Sequence, residues 1–129
     1  MRFTVPDALI RSLPERWGRA LDEIEREYDA VILDGGLGTA LYLTRDGRVI
    51  VDGTGWDELG VREATREEAF TALVVGARKT GESGLLALLP PRPANALDCR
   101  DCGATGWREL GEERRFVCAT CGGVGWLDP

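Results

Sequence analysis

Four cysteines are the residues in this chain whose type and spacing could do chemistry. They fall in two nonapeptides that share the pattern C-x-x-C-G-x-x-G-W. The first holds Cys99 and Cys102 and ends at Trp107; the second holds Cys118 and Cys121 and ends at Trp126. The spacing, C-x2-C-x15-C-x2-C, is that of a tetrathiolate zinc site. The same cysteines could form two disulfides in any of three connectivities, a redox C-x-x-C, or four unrelated thiols. An exact repeat argues against unrelated thiols, and a redox motif comes singly, near a βαβ unit. The spacing therefore favours one zinc ion per chain on Cys99, Cys102, Cys118 and Cys121. Such a site is structural, because four protein ligands leave no position for water or substrate.

The elements that must present these sulfurs follow from the residues around them. Two residues between paired cysteines let one tight turn offer both thiolates to one metal. Gly103 and Gly122 follow the second cysteine of each pair and permit the backbone to fold back with φ > 0. Backbone N–H groups of each turn are then expected to point at the sulfurs. The stretch Arg108 to Val117 suits a β-hairpin, with Leu110-Gly111-Glu112 near its turn. Trp107 and Trp126 hold equal places in the repeats. They either cover the zinc turns, pack on the preceding domain, or form a paired aromatic surface for a partner.

Cys118 to Gly125 fits the C-x-x-C-x-G-x-G repeat and resembles the cysteine-rich domain of DnaJ-type co-chaperones. The first repeat departs from it, with Ala104 where that pattern has glycine. That family carries four repeats and two zinc ions; two repeats are enough for one. The His-Pro-Asp tripeptide of a J-domain is excluded, because the chain has no histidine. The resemblance implies a zinc-binding hairpin and a peptide-contacting surface rather than a co-chaperone.

Composition narrows the partner. Hydrophobic residues make up 43% of the 129, enough for a packed core. The cysteine segment could not fold without its metal. Net charge is −6. Residues 99–129 hold four basic and five acidic side chains, so four thiolates and one Zn²⁺ would leave them near −3. Phosphate backbones are held mainly by Lys and Arg, so nucleic acid is not expected as a ligand. Met-Arg-Phe-Thr-Val-Pro lacks a signal-peptide h-region, and no apolar run approaches membrane-spanning length. These features predict a cytoplasmic protein with reduced thiols and no membrane contact.

The rest of the chain reads as an α+β domain over residues 1–89, a proline-rich linker over 90–98 and the zinc hairpin over 99–129. Pro6 to Ile10 suggests a short helix. Ser12-Leu-Pro14 signals another helix start, and Trp17, Leu21, Ile24 and Tyr28 share one face of it. Ala30 to Leu33 reads as a buried strand. Residues 39–44 and 48–52 read as strands joined at Asp46-Gly47. Trp56 to Val61 reads as a loop. Thr65 and Glu68 form a capping box for a helix that Gly81 stops. Gly84 to Leu89 is ambiguous, a last strand or an apolar strip under the helix. The whole predicts a small antiparallel β-meander flanked by helices.

Leu13-Pro14, Asp34 to Leu43, Arg45 to Val51, Gly55-Trp56-Asp57 and Thr65 to Ala77 together resemble the SUKH superfamily, which includes many bacterial immunity proteins. That resemblance implies a protein that binds and masks a partner, such as a toxin.

Enzymatic constellations are missing from the sequence. Without histidine there is no Ser-His-Asp or Cys-His arrangement. Ser12 and Ser83 lie in no G-x-S-x-G elbow. The glycine loop at 35–38 matches neither phosphate-binding fingerprint and leads into a strand rather than a helix. Its Asp-Gly-Gly-Leu-Gly-Thr also looks like the opening motif of homocysteine S-methyltransferases, but those are large barrels and this chain is too short for one. Trp56, Trp107 and Trp126 are the candidate partner-binding residues, Trp being enriched at interface hot spots. The expectation is a non-enzymatic interaction protein whose partner is another protein. The alternative is a chaperone-like zinc module for unfolded or nascent segments.

Overall fold

Alternation of apolar side chains along three successive strands builds the central sheet. The computed structural model describes residues 1–17, 20–35, 39–54, 60–111 and 114–129. Its strands β1 (Ala30–Gly35), β2 (Ala40–Thr44), β3 (Val49–Asp52) and β4 (Val61–Glu63) form an antiparallel sheet in sequence order. Val31, Leu33, Leu43 and Val49 face one side; Ala30, Tyr42 and Ile50 face the other. This is the period-2 pattern of a sheet buried on both faces. The register of β1 on β2 shifts between Ile32 and Asp34, a bulge that leaves Leu33 fully buried.

Helices cover both faces. Helix α1 (Asp7–Trp17) and helix α3 (Arg66–Thr80) bring Leu9, Ile10, Leu13, Phe70 and Leu73 to the first face. Helix α2 (Glu23–Tyr28) lays Ile24 and Tyr28 on the second. The chain is thus α+β, a four-stranded antiparallel meander flanked by helices, with short strand pairs near the cysteines.

The N-terminal helical region differs from expectation. One helical face from Trp17 to Tyr28 is replaced by two helices, and α1 runs through Pro14. A second helix begins at α2 because Asp22 and Glu25 form a reciprocal capping box, with backbone-to-side-chain bonds of 2.9 and 2.8 Å. The box outweighs the apolar spacing. Glu25 is buried and also accepts the Ile32 N–H at 2.9 Å, which ties α2 to β1.

Other elements follow their local signals. Gly47 turns the β2–β3 hairpin at φ 89°, and a Cβ there would lie 1.8 Å from the Phe3 carbonyl oxygen. The lead-in chain crosses the hairpin at that point, with the Phe3 N–H donating to Gly47 at 2.7 Å. Thr65 caps α3 and Gly81 ends it at φ 73° in the left-handed region. The ambiguous stretch after α3 is a 3₁₀ helix, Ser83–Leu88, which buries Leu85. Gly76 lets it and β1 approach α3: a Cβ at Gly76 would stand 3.1 Å from the Leu33 Cβ. Strand β4 was not foreseen, because three residues are too few for a periodic signal. No described helix is long and apolar enough to cross a membrane.

Candidate metal centre

Each cysteine repeat closes on itself through backbone bonds and then pairs with the other. Ala104 N–H donates to the Cys99 carbonyl and Gly122 N–H to the Cys118 carbonyl, both at 2.8 Å. Gly103 and Gly122 take φ values of 64° and 71°, as the sequence required. The hairpin between the repeats comprises β6 (Trp107–Leu110) and β7 (Arg114–Val117), with Gly111 at its turn. A second pair, β5 (Leu97–Asp98) with β8 (Trp126–Leu127), was not foreseen. β5 takes up the last two residues of the 90–98 stretch.

The two halves are related by an approximate two-fold axis. The Cys118 N–H donates to the Gly106 carbonyl at 2.9 Å, and the Cys99 N–H donates to the Gly125 carbonyl at 3.0 Å. Trp107 pairs with Val117, and in the equivalent place Trp126 pairs with Asp98. The signal for the second pair was in the sequence. The residues flanking one motif stand where the strand residues flanking the other stand, so the repeat is longer than its nine matching positions.

All four thiols meet at this axis. The Sγ atoms of Cys99, Cys102, Cys118 and Cys121 lie within 4.8 Å of one another. Cys99 and Cys118 stand 3.8 Å apart, as do Cys102 and Cys121. These cysteines are unbonded, at nearly twice the ~2.05 Å of a disulfide. A tetrahedron with metal–sulfur arms of about 2.3 Å has edges of about 3.8 Å, which two of the six sulfur–sulfur edges match, so the donor set could hold a metal ion. Cys99, Cys118 and Cys121 are fully buried. Backbone donors face two of the sulfurs, Gly106 N–H to Cys102 at 3.2 Å and Gly125 N–H to Cys121 at 3.3 Å.

Burial and the neighbouring sulfurs set the acidity of the thiols. Burial pushes the Cys99 thiol up to about 12, aided by a hydrogen bond with the Cys102 thiol, and burial also raises Cys121. Burial acts on Cys118 too, but backbone donors at Cys121 and Thr120 and the bond with Cys99 bring it down to about 7. The four thiols thus influence one another, and Cys118 is the one whose ionisation the backbone donors favour. A divalent ion held among the four sulfurs would favour the thiolate form of each.

This symmetric unit docks asymmetrically. The second repeat faces α3: a Cβ on Gly122 would lie 2.6 Å from the Glu67 carbonyl oxygen, and one on Gly123 3.3 Å from Val74. Trp126 is buried in the main core, its ring 6.2 Å from Phe70 and 5.1 Å from the Arg66 guanidinium. The first repeat faces outward, and a Cβ on Gly103 would meet nothing within 4 Å. Trp107 is only partly buried, between Arg78 at 5.3 Å and Arg115 at 5.0 Å. Of the paired tryptophans, therefore, Trp126 belongs to the core and Trp107 to the surface. Trp56 and residues 36–38 of the glycine loop lie outside the described residues. Sequence reasoning missed the two arginines around Trp107, because they come from separate elements with no shared spacing.

Family models, curated proteins and solved structures were all compared with the chain, and none matches it.

Proposed function

We propose that this is a zinc-stabilised, non-enzymatic interaction protein of the cytoplasm that binds and masks another protein, in the manner of an immunity or defence-associated protein. The observation that carries the metal half is the 3.8 Å edge of the sulfur cluster, the size a zinc tetrathiolate needs. Zinc rather than a harder cation follows from four soft sulfur donors. The ion neutralises buried thiolates and joins two turns that bury little surface of their own. The masking half rests on the sequence resemblance to SUKH proteins and on the net charge of −6, which suits a basic partner through complementary fields.

A chaperone-like role is the second reading. It draws on the exposed Phe116, 46% accessible on the hairpin next to Trp107.

Two experiments test the proposal. Protein purified under reducing conditions should carry one zinc per chain by atomic emission, and Cys118→Ser should release it. Metal-free protein with no titratable thiols would mean disulfides instead. Affinity purification from the native cell should then return one near-stoichiometric protein. Scattered, substoichiometric clients lost with the zinc would favour the chaperone-like reading and remove the masking one.

A further inference from the structure

We propose that the surface on both sides of Trp107 is a docking groove for an acidic, apolar segment of a partner protein, a reading that rests on the interaction role above. Two open clefts meet there. The first, of about 630 Å³, runs between the end of α3, the 3₁₀ helix and the second repeat; Val74, Ala77, Leu86, Leu89 and Val124 line it. The second, of about 490 Å³, lies between α3 and β7, with Val75, Phe116 and Val117 in its wall. Trp107 and Arg78 line both, so they form the ridge that divides them. Leu86 and Phe116, each 46% accessible, stand one in each cleft. Two apolar clefts on either side of a Trp suit two anchoring side chains of one segment.

The charge of the groove states what else the segment carries. Among the described residues no carboxylate lines either cleft, although the chain has 22 acidic residues. Arg78, Lys79 and Arg115 line them instead. Lys79 is paired with Asp34. The Arg78 and Arg115 guanidinia rest against Trp107, and among the described residues no carboxylate pairs with either. Glu109 is the cross-strand partner of Arg115 without an ion pair to it, and two arginines seated over one ring suit carboxylates of the incoming segment. The described charged side chains lining the groove are thus basic in a chain of net charge −6, which disfavours a basic segment.

The test uses random dodecapeptides displayed on phage, selected against the intact zinc-loaded chain. Enriched peptides should combine aliphatic or aromatic residues with Asp or Glu. Synthetic versions, read by fluorescence anisotropy, should lose at least tenfold in affinity to Trp107→Ala and to Arg115→Glu, and should lose binding when their acids become Lys. Arg115 is exposed but lies opposite Glu109 in the hairpin, so the fold of its variant is checked by zinc content and circular dichroism, and Arg115→Gln, which places no like charge there, should also weaken binding. Failure to enrich any peptide, enrichment of basic ones, or unchanged affinity in both variants overturns the proposal. So does a dimer of this chain that Arg115→Glu disperses, or displacement of the peptides by single-stranded oligonucleotides. A stoichiometric cellular partner that binds both variants normally would remove the groove and leave the interaction role standing. Groove-dependent peptide binding with no cellular partner would do the reverse.

Discussion

Gly106 lies so close to Gly123 that a Cβ on Gly106 would stand 2.2 Å from the Gly123 carbonyl oxygen. The same approach recurs across the two-fold axis, where a Cβ on Gly125 would stand 2.5 Å from the Ala104 carbonyl oxygen. Both glycines also sit at positive φ, 83° and 85°, so an added methyl meets backbone that cannot move and a conformation it disfavours. Their N–H groups face Cys102 and Cys121. Gly106→Ala and Gly125→Ala should each cost at least about 3 kcal/mol. Each should also speed metal loss to a chelator. Thermal melts and zinc release followed with a colorimetric chelator check both effects.

Ala104 occupies the place that Gly123 holds in the second repeat, and it pays a conformational cost there. Its φ is 64°, which among the described residues makes it one of two non-glycine residues in the left-handed region. Ala104 is exposed and its methyl is not part of the core. Relief of the left-handed strain exceeds the extra unfolded-state entropy of glycine. Ala104→Gly should therefore stabilise the protein by about 0.5–1 kcal/mol, read as a higher midpoint in chemical denaturation with unchanged slope.

The paired tryptophans should respond differently to truncation although the sequence makes them equivalent. Trp126 is 6% accessible and packs on Phe70 beneath Arg66. Its removal leaves a cavity in the main core, so Trp126→Ala should cost about 3–5 kcal/mol. Trp107 lies at the surface between two arginines, and Trp107→Ala should cost no more than about 1.5 kcal/mol. Equal losses in paired denaturation curves would contradict the asymmetric docking of the two repeats.

The sequence made legible those parts whose signals are local. The cysteine spacing, the Asp46-Gly47 turn, the Thr65 and Glu68 cap, the apolar run of β1 and the alternation in β2 and β3 each act within a few residues, and each is found in the fold. The break between α1 and α2 was hidden because the apolar spacing from Trp17 to Tyr28 masks the Asp22 and Glu25 cap. The split fate of Trp107 and Trp126 was hidden for another reason. It is decided by which repeat α3 packs against, a contact between residues some fifty positions apart, Phe70 and Gly122 among them. The groove at Trp107 is likewise assembled from α3, the 3₁₀ helix and the hairpin, so no single stretch announces it.

Glu68 gives the fold a defined acid sensitivity. Its carboxylate receives two bonds from the Arg62 guanidinium, at 2.7 and 2.8 Å, and the Thr65 N–H at 3.0 Å. The Arg62 fork holds its pKa down at about 2, from an ordinary 4.5, against the opposing effect of burial. A folded pKa below the unfolded one means stability that is fully present above about 4.5 and lost as pH falls toward 2. Both side chains are about one-third exposed, so water screens the pair and the loss is about 1–2 kcal/mol rather than the full linkage value. Glu68→Gln keeps the size and one acceptor but cannot titrate. It should lower stability by that amount at pH 7 and flatten the stability profile between pH 4.5 and 2. Denaturation midpoints measured for both proteins across that range, with zinc-free buffers matched in ionic strength, decide it: parallel curves would show that Glu68 contributes nothing to acid unfolding.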